Sequence, residues 1–396
     1  MLDDGKSGRT SAVVLLTALI LVAANLRPAL TSVGPLIDAI RHDLGLSATA
    51  AGLLNSLPLF ALAAFSPLAH AANRIGIERA LIIAMVALVA GILVRSLGGA
   101  VGLFSGTLVL GASIAVGNVL LPSVIKRDFA HRVGGVTTIY VVVLALTAAI
   151  GSGVAVPLAR VLPGGWKSAL AFWALPAALA ILPLALRLRT GPDAESANKV
   201  YAAPVPIWRS LLAWQVTVFM GLQSFSYYIV VSWFPSVLQE IGYTPSAAGW
   251  IVTLFQIVAL IATLAMPSLI RRGNDQRLLA VVTPLLIVAA IFGQIAAPGA
   301  ALWWIVLMGL GNGPTMILAL SFFGLRTGDH RQAAALSLMA QSIGFFIAAF
   351  GPLVFGLLHD MSHGWTVPLI ALAISLVVQS VAGFGAGRNT QVGIER

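Results

Sequence analysis

From residue 11 to residue 387 the chain is a succession of apolar runs, each long enough to cross a hydrocarbon layer of ~30 Å as a helix, with nearly all the charge in the short stretches between them. Inside hydrocarbon every backbone N–H and C=O must be bonded within its own segment, so runs of this kind fold as helices packed on one another. Cut at charge clusters and Gly/Pro punctuation, the runs number about twelve: 11–40, 47–72, 78–97, 99–126, 133–161, 167–189, 209–240, 246–270, 277–297, 299–325, 332–359 and 365–387. The expected class is an all-α integral membrane protein with twelve transmembrane helices. A soluble fold is excluded by composition, because 9% charged residues against 59% hydrophobic cannot coat a chain of 396 residues. Lys6 and Arg9 ahead of the first run have the look of a secretory signal, but further runs follow and an uncleaved first span is expected.

The net charge of +10 is spread over the ends of the runs rather than gathered in one patch, so it reports topology and not nucleic-acid binding. With the N-terminus in the cytoplasm, 18 of the 23 Lys and Arg fall on that side, four (Arg41, Arg95, Arg160, Lys167) on the other, and Arg27 within the membrane. The positive-inside rule then puts both termini in the cytoplasm. The chain has no cysteine, so no thiolate chemistry is available. His359 and His363, with Asp360 between them, have the spacing of a metal pair, but they sit at a run end and read as an exposed loop. No metal or cofactor is expected.

One charge lies well inside a run. Arg27 falls near the middle of 11–40, where a cation costs at least ~2.5–3.5 kcal/mol and is kept for a partner or a ligand. Pro28 follows it, removing a helical hydrogen bond and kinking the chain at that point. By helical spacing Arg27, Thr31 and Gly34 share a face, with Asn25 beside it. Pairing with a carboxylate would merely fasten helices, yet no Asp or Glu lies near the middle of another run. The arginine is therefore read as receiving an anionic or strongly dipolar ligand.

The longest polar connection, 190–208, follows the sixth run and divides the chain into an N-terminal six-helix bundle at 1–189 and a C-terminal one at 209–396, joined by a cytoplasmic linker. The halves echo each other. Leu46-Ser47-Ala48-Thr49-Ala50-Ala51-Gly52 opens the second run and Tyr243-Thr244-Pro245-Ser246-Ala247-Ala248-Gly249 the eighth. A six-plus-six duplication is the architecture of carriers that alternate access to a midplane site.

Over nearly its whole length the chain resembles the major facilitator superfamily. The loop after the second span keeps Arg74 and Gly76 of that family's motif but has Asn73 where the motif has Asp, which leaves Arg74 reaching toward a neighbouring helix end such as Asp128 as a conformational lock. The stretch Asn25-Leu26-Arg27-Pro28-Ala29-Leu30-Thr31-Ser32-Val33-Gly34-Pro35-Leu36 is similar to the first-helix signature of the cyanate/2-nitroimidazole permease branch. That resemblance implies two pseudo-symmetric six-helix bundles in the bacterial inner membrane, and transport of a small anionic or polar, electron-poor solute. It also implies which polar residues face the cavity. In the first half these are Asn25, Arg27, Thr31, Asn118 and Tyr140, with Asn55 beside them; in the second half they are Gln223, Tyr227 and Asn312, together with Tyr228, Gln256, Ser337 and Gln341. Hydrogen bonding between helices is an equal use for each of them. Gly117-Asn118 and Gly311-Asn312 recur in the fourth and tenth spans as close-approach or hinge features.

No Ser/His/Asp order with usable spacing, paired mid-membrane carboxylates, HExxH or phosphate loop is present, so neither an enzyme nor an ATP-driven pump is expected. The reading is a monomeric secondary carrier or facilitator in the lipid bilayer, with a small, anionic solute as partner. A proton-coupled drug or metabolite antiporter would want an acidic cavity residue, and Gly151-x-Gly153-x-x-x-Pro157 only partly matches the antiporter motif. A non-transporting receptor on the same fold is the second alternative. For coupling, the nearest titratable groups are Asp38, Asp128 and His70, all near the membrane surfaces. In the seventh span Tyr227, Tyr228, Trp233 and Phe234 precede Pro235, which is expected to interrupt the helix and let its outer half close over a solute, unless the aromatics only pack or face lipid.

Overall fold

The computed structural model describes residues 4–65, 75–190, 207–273 and 275–393, and the side chains of all of these except 4–14, 130, 187–190 and 330. Arg74, His70 and the rest of the loop motif through residue 74, and linker residues 191–206, lie outside the described residues. Every described element is helical, and twelve helices are long and apolar enough to cross a membrane. They run Leu15–Leu44, Ala48–Phe65, Ile77–Leu97, Gly99–Asp128, Val133–Val161, Trp166–Leu186, Leu211–Glu240, Pro245–Ile270, Arg277–Ala296, Pro298–Leu325, Arg331–Ser362 and Thr366–Ala386. The chain is thus a multi-pass membrane protein with the span number expected from its apolar runs.

By packing it falls into two compact units, Met1–Val33 with Ala64–Lys199, and Gly34–Ala63 with Val200–Arg396. The duplication and the packing therefore draw their boundary at different places: the part of the first span from Gly34 on, and the second span, pack with the helices of the second half. Inside that second unit the reasons are local. The rings of Phe60 meet Phe346 and Phe350 edge-on at 5.9 and 5.4 Å. Gly34 lies so close to the Val231 carbonyl that a Cβ would overlap its oxygen. The echo between the second and eighth spans is a shared start, since Ser47 Oγ accepts from Ala50 N at 3.1 Å and Thr244 Oγ1 from Ala247 N at 3.3 Å. Both are N-cap hydroxyls answering an amide that no helical carbonyl reaches.

Most of the long helices carry a proline without breaking, as membrane helices can where neighbours answer the freed backbone groups. Pro235 is one of these: Leu211–Glu240 is a single helix through it. The expected interruption is corrected accordingly: the seventh span is buried along most of its length, and that packing carries the helix unbroken through the proline. The first span behaves otherwise. Its helix ends at Asn25, resumes for one turn at Pro28–Thr31, passes through a 3-10 turn at Gly34–Leu36 and continues as Ile37–Leu44.

Candidate functional site

The break is built by a missing donor and completed by side chains from other spans. Pro28 supplies no N–H, Leu26 N bonds Ala23 O at 3.2 Å, and Leu30 N and Thr31 N both donate to the Arg27 carbonyl at 3.0 Å. Two carbonyls beyond it are met from outside. Arg95 Nη1 donates to Ala29 O at 2.5 Å and Ser152 Oγ to Thr31 O at 3.2 Å. Thr31 Oγ1 in turn donates to Ala148 O at 2.8 Å. Gly151 makes this approach possible, since a Cβ there would stand 2.8 Å from Pro28 Cα.

Arg27, half-buried, leaves the chain at this break. Its charge acts on the hydroxyl of Tyr140, and that hydroxyl donates at 3.5 Å to Asn118 Oδ1. Within the first unit, then, a phenol of the fifth span bonds an amide of the fourth and lies within the electrostatic reach of the arginine of the first. Asn25 is used differently, with its amide nitrogen donating to Leu21 O at 2.8 Å and Pro176 O at 3.0 Å. Gly117 receives the side chain of Leu26, and Gly311 packs against Thr283 and Ile287, so both glycines serve close approach.

In the second unit Gln223 Nε2 donates to Asn312 Oδ1 at 3.4 Å, and Ser224 Oγ to Gln223 Oε1 at 3.2 Å. Asn312 Nδ2 is buried and finds no partner among the described residues. Tyr227 donates to Gln256 Oε1 at 3.4 Å and packs edge-on to Tyr228 with centroids 5.2 Å apart. Gln341 Nε2 bonds Ser337 Oγ at 2.7 Å, the i,i+4 pair expected of them. Trp233 is fully buried, its Nε1 donating to Pro352 O at 2.9 Å and its ring lying 5.5 Å from that of Trp365. It faces neither lipid nor an opening.

At the far end of the first unit Asp128 accepts from Arg127 Nε and Nη2, each at 2.8 Å, while Arg127 Nη2 also reaches Glu78 at 2.5 Å. Arg74, the lock partner expected for Asp128, is outside the described residues.

Charged residues that sequence reasoning put in loops turn out to be structural. Arg95, in the last turn of the third span, is 1% exposed, so a charge at a run end is buried in protein rather than in water. Its helical neighbour Gly91, four residues back, was the available signal: a small residue marks the face pressed against the fourth span. Asp360, read as part of an exposed loop, accepts from Ala48 N at 3.0 Å, Thr49 N at 2.7 Å and Thr49 Oγ1 at 2.6 Å, capping the second span. His359 beside it lies tilted against Trp365 with centroids 4.0 Å apart. Arg326, 1% exposed, donates from Nε to Ala386 O at 2.7 Å and from Nη2 to Gly387 O at 3.0 Å.

Comparison with known proteins places these features in a family. Residues 14–352 match the family model of the Major Facilitator Superfamily. The chain is 40% identical to the 2-nitroimidazole transporter of Escherichia coli (strain K12) over 96% of its own length and 97% of that protein's. It is 30% identical to the cyanate transport protein of the same organism, over 92% and 94% of the two chains. Among solved structures, a bacterial homologue of the human lysosomal transporter Spinster, inward-facing and unoccupied, superposes with a TM-score of 0.81 at 16% identity, covering 96% of this chain and 97% of that one.

Proposed function

The chain belongs to the major facilitator superfamily and is a membrane transporter of a small molecule, not an enzyme, and on that premise we propose that its solute is a small anionic or polar, electron-poor compound bound by Arg27. The observation that carries the reading is the setting of that arginine: a half-buried guanidinium at a helix break, whose charge reaches the Tyr140 hydroxyl that bonds Asn118. A guanidinium offers paired donors in one plane, which suits a carboxylate, a nitro group or a linear pseudohalide, and a charge-assisted hydrogen bond contributes about 1.5–3 kcal/mol. The substrates for which the relatives are named fit that chemistry, since cyanate is an anion and 2-nitroimidazole a planar ring with acceptor oxygens.

Within this reading Asn118 and Tyr140 contact the solute beside Arg27, while Asn25 and Thr31, whose donors go to backbone carbonyls, fasten helices. In the second unit this reading assigns solute contact to Gln223, Tyr227, Asn312 and Gln341, with the open Asn312 amide as a donor. Trp233 pins the seventh span to Pro352, and gating falls to the half-buried Tyr227 instead. The protein acts as a monomer in the bacterial inner membrane with both termini cytoplasmic, by alternating access. Coupling follows the solute's own charge and proton, for Asp38 is engaged by Arg41 at 3.5 Å and Gln239 at 3.2 Å, and Asp128 by Arg127.

The test uses purified protein with sodium cyanate and 2-nitroimidazole as probes, comparing wild type with Arg27→Lys and Arg27→Ala by calorimetry and by flux in proteoliposomes. Binding should fall in both variants, more in Arg27→Ala. Unchanged affinity in both would remove Arg27 from the site.

A further inference from the structure

We propose that Arg95 is the positioning residue for Arg27: by holding the Ala29 carbonyl it fixes the broken turn from which the Arg27 side chain departs. The inference rests on Arg27 being the solute-binding group. In an unbroken helix the Ala29 carbonyl would accept from the Val33 N–H, but that N–H goes to Leu30 O at 3.3 Å. Arg95 Nη1 stands in its place at 2.5 Å, reaching across from the third span.

Holding a cation there is costly. Arg95 is 1% exposed, and its Nε and Nη2 find no partner among the described residues. A buried charge with unanswered donors opposes folding, so removing it offsets the cost of leaving the Ala29 carbonyl bare. What an apolar chain cannot do is answer a carbonyl in the first span.

The turn is also tied by Ser152 on Thr31 O and by Thr31 on Ala148 O, both on the fifth span, and its start by Asn25 on Pro176 O in the sixth. Arg95 supplies the tie from the third span, two residues from Arg27. A binding group is effective when its own backbone is held to within about 0.5 Å. Cutting this tie therefore scatters the guanidinium without touching it.

The experiment compares full-length wild type, Arg95→Met, Arg95→Lys and Arg95→Gln, with Arg27→Ala as control, in three measurements: melting temperature in detergent, amide hydrogen exchange over residues 24–36, and affinity for 2-nitroimidazole and cyanate. Arg95→Met should melt within a few degrees of the wild-type temperature, yet exchange about tenfold faster across the turn and bind the probe about tenfold more weakly. Arg95→Lys, which keeps a donor, should recover most of both. Wild-type exchange across the turn in Arg95→Met overturns the inference, as does faster exchange with unchanged affinity while Arg27→Ala has lost binding. Unchanged affinity in Arg27→Ala itself overturns the Arg27 reading instead. Should Arg95→Met not fold, Arg95→Gln decides by the same two readouts: faster exchange with weaker binding supports the inference, and wild-type values end it.

Discussion

The first and seventh spans carry the same sequence device and fold differently. Each has a proline well inside an apolar run, Pro28 in one and Pro235 in the other, and each proline deletes one helical hydrogen bond. Around Pro28 the helix comes apart, and donors from the third and fifth spans answer the exposed carbonyls. Around Pro235 the helix continues, and the carbonyl that lost its donor, Val231, is covered by the backbone of Gly34. The difference teaches that a proline removes a bond but does not decide whether the helix opens. That depends on whether a neighbour brings a donor or only bulk.

Four substitutions bear on this contrast. The largest effect is expected at Arg27, the group that the open span exposes: Arg27→Ala should weaken probe binding about tenfold to hundredfold in calorimetry, the loss of one charge-assisted contact. Next comes Gly34→Val, which forces a side chain into the Val231 carbonyl. Overpacking against backbone costs about 1–3 kcal/mol, so the melting temperature in detergent should drop while the Arg27 turn keeps its slow exchange. An unchanged melting temperature would mean that Gly34 does not cover the seventh span.

Pro28→Ala restores the N–H toward the Ala24 carbonyl and lets the helix run through Arg27, and a severalfold loss of affinity should follow with little loss of stability. If affinity is retained, the break is incidental to binding. The smallest effect belongs to Pro235→Ala. In a helix that is already continuous, regaining one donor should change stability by less than about 1 kcal/mol and leave binding unchanged. A large change in transport there would return a hinge to the seventh span.

Much of this was legible in the residues. Span number follows from the length of the apolar runs, and span starts from hydroxyls such as Thr244 ahead of Pro245. The kink at Arg27-Pro28 was legible because an unpaired backbone in hydrocarbon has few solutions. Asp360 was not, and Arg95 only through its neighbour Gly91, for both stand at run ends, where a charge ordinarily meets water. Only the approach of another span turns such an end into an interior.

By itself, then, the sequence determined that the chain is a bundle of twelve membrane helices and that a charge sits at a break in the first of them. These outcomes depend on local physics: the cost of bare peptide groups in hydrocarbon and the missing N–H of proline. Tertiary structure alone decided which carbonyls Arg95 and Ser152 would answer, that the seventh span stays whole, and that residues 34–63 pack with the second half of the chain. Each of these turns on a contact between residues far apart in sequence, such as Arg95 with Ala29 or Asp360 with Thr49, and helical periodicity carries no information about which faces will meet.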